Sequence, residues 1–164
     1  MTLRVHANNP QDDVEAAFFR IQNTRMADVP ILNPALQVQA IDFQRWQGHW
    51  LGIVVTPWCM NLMLVPGSAE EWVSVGVNKR RFVHFPAGDF AFLGGQEDEV
   101  GEYQSCSLFS PMHQFATQQD AVLTARASLV GLLAPLPDKD ATPLSSEKKP
   151  AELSRRGFLS MRKR

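Results

Sequence analysis

Cysteine is scarce in this chain of 164 residues, which contains only Cys59 and Cys106. Neither residue belongs to a Cys-x-x-Cys pair, and no Cys/His spacing matches a zinc site, so a structural zinc module is not expected. Both thiols lie in apolar, strand-like surroundings, where free cysteine behaves as a small buried hydrophobe. We expect inert thiols, with a redox-sensing or metal-transferring thiol as the alternative.

Long hydrophobic runs are also missing. The longest apolar runs are far shorter than the roughly 18 residues that a membrane helix needs. No basic segment leads into an apolar stretch at the N-terminus, as it would in a secretory signal. We therefore expect a cytoplasmic protein without stable membrane insertion.

Charge is nearly balanced overall but unevenly distributed. Residues 1–134 carry eight Lys/Arg and thirteen Asp/Glu, whereas residues 135–164 carry eight and four. The first part lacks a basic face, so nucleic acid is not an expected partner. The second part has no sustained apolar periodicity. We predict one domain at residues 1–134 and a disordered, basic tail at residues 135–164.

Helical periodicity marks both ends of the predicted domain. Residues 10–26 place apolar side chains at i, i+3, i+4 and i+7, following a potential cap at Asn9. Thr117 can cap a second helix, with Asp120 in a position similar to that of a capping box. Its buried face is predicted to contain Ala121, Val122, Ala125, Leu129, Leu132 and Leu133.

Strand-like segments fill the region between the two helices. They are predicted at residues 37–44, 49–55, 60–65, 80–86, 89–93 and 102–109, while residues 94–101 are predicted to form an exposed acidic loop. Consecutive strands joined by short turns indicate an antiparallel sheet, whose single apolar face both helices can cover. The predicted fold is a two-layer α+β domain, and its exposed strand edges make a homodimer an open alternative.

The twenty residues Gly48–Gly67 contain no Asp, Glu, Lys or Arg, and two apolar runs meet there at Thr56-Pro57-Trp58. This composition is typical of framework or docking surface rather than of a catalytic centre. Together with Asn33-Pro34 and with Ser105-Cys106-Ser107-Leu108 leading to Ser110-Pro111, the block resembles the HybE/HoxT family of nickel–iron hydrogenase assembly chaperones.

The resemblance implies a non-catalytic assembly factor that needs no cofactor or metal. Members are thought to bind hydrogenase precursor subunits, including the small subunit with its twin-arginine export signal, until assembly is complete; whether the client here is the small subunit, the large subunit or both stays open. Some relatives carry a fused rubredoxin-like domain. Because this sequence lacks the Cys-x-x-Cys pairs of such a domain, we expect the chaperone form alone.

The candidate partner-binding residues are aromatic, flexible or corner-forming. Trp58 is the best candidate for exposure, because a strand-end corner beside Pro57 cannot be covered by regular pairing. Met60 and Met63 could give such a surface adaptable packing, and the alternative is that they fill gaps in the core. The predicted set is Trp50, Pro57, Trp58, Met60, Met63, Cys106, Pro111, Arg155 and Arg156. No catalytic residue is predicted, because the histidines are scattered and no nucleophile motif accompanies them.

The segment Ser154–Leu159 looks like the front of a twin-arginine signal, and we interpret it either as a coincidental basic end or as a mimic that competes with the client signal. Acidic side chains could steer such a basic segment. They are Asp12, Asp13, Glu15, Glu70, Glu71, Glu97, Asp98, Glu99 and Glu102. Two other functions stay open: transient transport of metal or an electron through Cys59 or Cys106, and general binding of signal peptides.

Overall fold

The structure is a computed structural model that describes residues 3–135. It contains two α-helices and six β-strands in the order α1 (Gln11–Asn23), β1 (Gln39–Trp46), β2 (His49–Val55), β3 (Met60–Val65), β4 (Arg80–Phe85), β5 (Gly88–Glu97), β6 (Gly101–Phe109) and α2 (Gln118–Leu133). The predicted α+β class, with an antiparallel sheet on which an N-terminal and a C-terminal helix pack, is confirmed. The predicted basic tail lies outside the described residues.

The strands form one sheet in the order β1-β2-β3-β6-β5-β4, and every neighbouring pair is antiparallel. Gln47 and Gly48 close the β1–β2 hairpin with φ angles of 48° and 83°. Positive φ at both central residues is the requirement of the hairpin turn whose twist matches that of the flanking strands. The predicted turn at this dipeptide is confirmed.

The helices lie on opposite faces of the sheet, which corrects the expectation of a single apolar face. In β2, Leu51 and Ile53 belong to the core beneath α2, whereas Val54 belongs to the core beneath α1. Successive strand residues point to opposite faces, so this strand is buried on both sides. A nearly continuous apolar run is the sequence signature of such two-sided burial.

The two helices pack through the residues that their periodicity predicted. α1 buries Val14, Ala17, Phe18 and Ile21. In α2, the Thr117 hydroxyl accepts a hydrogen bond from the Asp120 amide at 3.1 Å, as expected of a capping residue. Within residues 3–135, no helix is long and apolar enough to cross a membrane.

The predicted acidic loop at residues 94–101 is wrong for most of its length. β5 continues to Glu97 and β6 begins at Gly101, so that only a short turn remains. Arg20 of α1 donates hydrogen bonds to Glu97 at 2.9 Å and to Glu99 at 2.8 Å. These ion pairs hold the acidic side chains against the helix.

The sheet curls so that its two edge strands approach each other on the α2 side. Trp46 of β1 stacks on Phe85 of β4, with ring centroids 4.6 Å apart and planes at 26°. Because β1 and β4 are the outermost strands, this contact can form only if the sheet is strongly curved.

Candidate functional site

Three separate motifs of the sequence meet at one end of the sheet. We call this region the proline corner and define it as Asn33-Pro34, Thr56–Cys59 and Ser110–Met112. Thr56 organises the β2–β3 turn, because its hydroxyl accepts hydrogen bonds from the Trp58 amide at 3.2 Å and the Cys59 amide at 2.9 Å. This local side-chain bonding replaces the strand ladder that Pro57 interrupts.

Asn33 joins the three segments of the proline corner. Its amide donates to the Pro57 carbonyl at 2.9 Å. Its side-chain nitrogen donates to the carbonyls of Met112 at 3.0 Å and Phe115 at 2.8 Å, and its side-chain oxygen accepts from the Ala35 amide at 2.9 Å. The Ser110–Pro111 peptide bond, which lies directly before Met112, is cis. Asn33 therefore ties the turn at Pro57 to the segment that directly follows Ser110-Pro111.

The proline corner presents two of the predicted partner-binding residues. Trp58 is half-buried, with its ring 6.5 Å from that of Phe18 on α1, and Pro111 is exposed. Pro57, directly before Trp58 in the chain, is buried. Ile31, just before Asn33, is 41% exposed and adds apolar surface to this end of the molecule. The arrangement offers an apolar contact surface on a rigid support.

The other predicted residues do not contribute to this surface. Met60 and Met63 have no exposed surface and pack into the cores beneath α2 and α1, respectively. Trp50 lies at the opposite end of β2 from the corner, and its indole nitrogen donates to the His6 carbonyl at 2.8 Å. Cys106 is half-buried and packs against the core beneath α2. Arg155 and Arg156 lie outside the described residues.

The Cys59 thiol is poorly suited to bind metal or to react. It is 7% exposed, and burial raises its pKa to about 11. Since metal ligation and nucleophilic attack need the thiolate, a neutral thiol at physiological pH disfavours both roles. Among residues 3–135, no group of three or more His, Cys, Asp or Glu side chains could hold a metal ion.

One acidic residue that the sequence suggested for the surface is buried. Glu102 is 2% exposed, and its carboxylate accepts hydrogen bonds from the Trp72 indole at 3.2 Å and the Ser74 hydroxyl at 3.0 Å. It fixes the segment between β3 and β4 against β6. Glu102 shares its face of β6 with Cys106 and Leu108, which pack in the core beneath α2, and this shared face was the sequence signal for its burial.

Sequence reasoning did not find a cleft of about 630 Å³ at the far end of the sheet from the proline corner. Its walls are Trp46–His49 of the β1–β2 hairpin on one side and Arg81–His84 of β4 on the other. His49 is buried, its Nδ1 accepts from the Gly67 amide at 3.1 Å, and burial lowers its pKa. Phe82 lines this cleft and is 60% exposed, and its place within a predicted strand did not distinguish it from a core residue.

Comparisons with known proteins agree on one family. The family model described as "[NiFe]-hydrogenase assembly, chaperone, HybE" matches residues 9–161. The hydrogenase expression/formation protein HupJ of Bradyrhizobium diazoefficiens is 39% identical over 162 residues, covering 93% of this chain and 92% of that protein. The probable rubredoxin HupJ of Rhodobacter capsulatus is 38% identical over 117 residues, and this chain spans only 42% of its length.

A solved structure shows the same architecture. The solution structure of HybE from Escherichia coli superposes with a TM-score of 0.67 at 29% sequence identity, covering 87% of this chain and 90% of that one. The hydrogenase-2 operon protein HybE of Escherichia coli K12 is 32% identical over 133 residues, which are 80% of this chain and 82% of that protein.

Proposed function

The chain belongs to the HybE family of [NiFe]-hydrogenase assembly chaperones, and on that basis we propose that it binds a hydrogenase precursor subunit until assembly is complete. The proposed client is the small subunit with its twin-arginine signal, and the large subunit is a second client. Binding takes place in the cytoplasm and involves no catalysis. The observation that supports this proposal is that Asn33 joins the turn at Pro57 to the segment after Pro111, with a half-buried Trp58 and an exposed Pro111 beside these bonds.

A rigid, apolar surface at the proline corner is suited to binding a precursor subunit without reacting with it. Partner anchors are enriched in tryptophan, which supplies a large contact area with few rotatable bonds. The Asn33 and Thr56 hydrogen bonds fix the corner in advance, so little conformational entropy is lost when a partner binds.

The proposal is tested by titrating the purified chain with a small-subunit precursor, with and without its signal. We expect Trp58→Ala and Pro111→Ala each to weaken binding by about tenfold, as loss of a contact residue does. Leu123→Ala, on the exposed side of α2, is the matched control and should leave the affinity unchanged. Equal binding by all four proteins would exclude the proline corner as the binding surface, and no binding by any would exclude the client.

If the chain instead carries metal or an electron, Cys59→Ser or Cys106→Ser should abolish its function. If the chain only holds the precursor, both variants should bind the precursor with the affinity of the unmodified chain.

The hypothesis about Arg155 and Arg156 is a separate addition to the proposal. If these residues compete with the client signal, replacing both by Ala should tighten precursor binding, because an internal competitor is removed. Broad affinity for unrelated signal peptides would favour a general peptide-binding module.

A further inference from the structure

The free edge of the sheet at β4 presents unpaired backbone groups. Phe85 pairs with Gly88 across a two-residue turn, and Lys79 and Gly94 are joined by a hydrogen bond of 3.0 Å from the Gly94 amide to the Lys79 carbonyl. The odd-numbered residues of β4 therefore bond to β5. The amides and carbonyls of Arg80, Phe82 and His84 point away from the sheet, and no other residue within 3–135 bonds to them.

The opposite edge of the sheet, at β1, is protected. The Ala40 amide donates to the Glu15 carboxylate at 2.8 Å, and the Phe43 carbonyl accepts from the Asn9 side chain at 3.1 Å. Between them, Asp42 adopts a φ of 52° where the pairing register shifts. Bulges and covered backbone groups are two means of blocking an edge strand. Among residues 3–135, β4 has neither a bulge nor a covering group, although it is equally an edge.

The cleft described above runs along this free edge. β4 forms one wall through Arg81–His84, and the β1–β2 hairpin forms the other. Its volume of about 630 Å³ lies within the usual range of ligand pockets. The six residues of β4 offer an edge of roughly 20 Å at about 3.3 Å per residue. An extended segment of another chain therefore has both a backbone template and space beside it.

The charge within the cleft indicates the chemistry of the occupant. Arg81 is partly buried, and its guanidinium donates to the neutral Gln104 side chain at 2.9 Å. Arg81 forms no ion pair with any residue in 3–135. This includes Glu71, which lies on the hairpin side of the cleft. A partly desolvated cation without a carboxylate favours a ligand that supplies one.

We propose that the cleft binds an extended, carboxylate-bearing segment of a partner protein, which adds to β4 as a further strand. The backbone of the segment bonds to Arg80, Phe82 and His84, its carboxylate pairs with Arg81, and its apolar side chains face Val83 and Trp46. This mode of recognition combines backbone hydrogen bonds for affinity with alternate side chains for specificity. It does not depend on the proposed hydrogenase function, because it requires neither a twin-arginine signal nor the proline corner.

The probe for this proposal is the peptide acetyl-Thr-Val-Thr-Glu-Thr-Val-Thr-amide, titrated into the full chain by calorimetry. The same peptide with Gln in place of Glu is the matched control. We expect the Glu peptide to bind at least about tenfold more tightly, as a charge-assisted hydrogen bond provides. Arg81→Met should reduce this discrimination to within about twofold of unity. Equal affinity of the two peptides for the unmodified chain would overturn the proposal.

A second pair of variants tests the backbone pairing. Phe82→Pro removes an amide that β5 does not use, and proline is tolerated where an edge amide faces solvent. Phe82→Val keeps that amide. We expect binding of the Glu peptide to fall at least about tenfold in the proline variant relative to the valine variant, with unchanged circular dichroism in both. Equal binding by both variants would contradict strand addition.

Hydrogen exchange of the free chain tests whether the edge at β4 is filled by the chain itself or by a second copy instead of by a partner protein. The amides of Arg80, Phe82 and His84 should exchange rapidly in the free monomer and become protected when the Glu peptide binds. Protection in the monomer without peptide would mean that the chain fills the cleft itself. Protection that increases with protein concentration would mean that a second copy does so. Either result would overturn the proposal of a foreign segment.

Discussion

At the scale of single residues, burial decides what the chemically active side chains can do. Cys59 and Glu102 both have functional groups that are reactive in other settings, yet the fold places each inside the molecule. Glu102 is used to hold Trp72 and Ser74. The apolar neighbours of Cys59 in the sequence predicted an inert thiol. The burial of Glu102 was not predicted, because a lone acidic residue near Gly101 is normally solvated.

The pKa of Cys59 makes a direct prediction about its reactivity. With a pKa of about 11, roughly one thiol in a thousand is ionised at pH 8, so alkylation by iodoacetamide should be slow. In the Cys106→Ser variant, where Cys59 is the remaining thiol, the rate should rise about tenfold per pH unit between pH 8 and 10. In urea the same thiol should react rapidly at pH 8. Equal rates in the folded and unfolded protein would show that burial does not control this thiol.

At the scale of secondary-structure elements, local sequence signals predicted where an element lies better than they predicted which other elements it contacts. The turn at Gln47-Gly48 and the cap at Thr117 were predictable because each depends on a few adjacent residues. The extent of β5 was not, because Gly94-Gly95 and the following acids favour a loop. Those acids remain in a strand and turn since Arg20 neutralises them from α1, a contact between distant parts of the chain.

The β1–β2 hairpin provides a test at this scale. Gly48 has a φ of 83°, and a Cβ there would lie 2.6 Å from the Glu71 carboxylate. Gly48→Ala should destabilise the fold by about 1–2 kcal/mol, because alanine disfavours positive φ. Gly48→Asn should cost less, since asparagine tolerates this conformation.

Chemical denaturation of both variants distinguishes the two sources of strain. If backbone strain dominates, the asparagine variant is the more stable of the two. If contact with the exposed Glu71 side chain dominates, both variants lose the same stability, and Glu71→Ala restores both.

At the scale of the whole molecule, β2 and β3 belong to two cores at once. The proline corner was predictable as a set of motifs, but the placement of the helices on opposite faces was not. An unbroken apolar run such as Leu51–Val55 does not show which side each helix covers. The cleft was equally inaccessible, since it results from the curl of the sheet that brings Trp46 to Phe85.

The shared strands predict that the two cores unfold together. Ile21→Val beneath α1 should cost about 1 kcal/mol, and Leu129→Ala beneath α2 about 3 kcal/mol. Because the sheet separates the two sites, their effects should add to within about 0.5 kcal/mol in the double variant. Urea denaturation followed by tryptophan fluorescence and by circular dichroism should give one coincident transition. Separate transitions would show that α1 detaches before the remainder of the fold.

The unequal edges of the sheet limit the size of any assembly built through them. A filament built by strand pairing needs two open sheet edges per copy, and the part of the chain in residues 3–135 has one, since Glu15, Asn9 and Asp42 block β1. Pairing through β4 therefore joins at most two chains and cannot extend into a filament. If β4 accepts a partner strand as proposed, a single open edge lets an assembly chaperone bind that strand without becoming the seed of an aggregate.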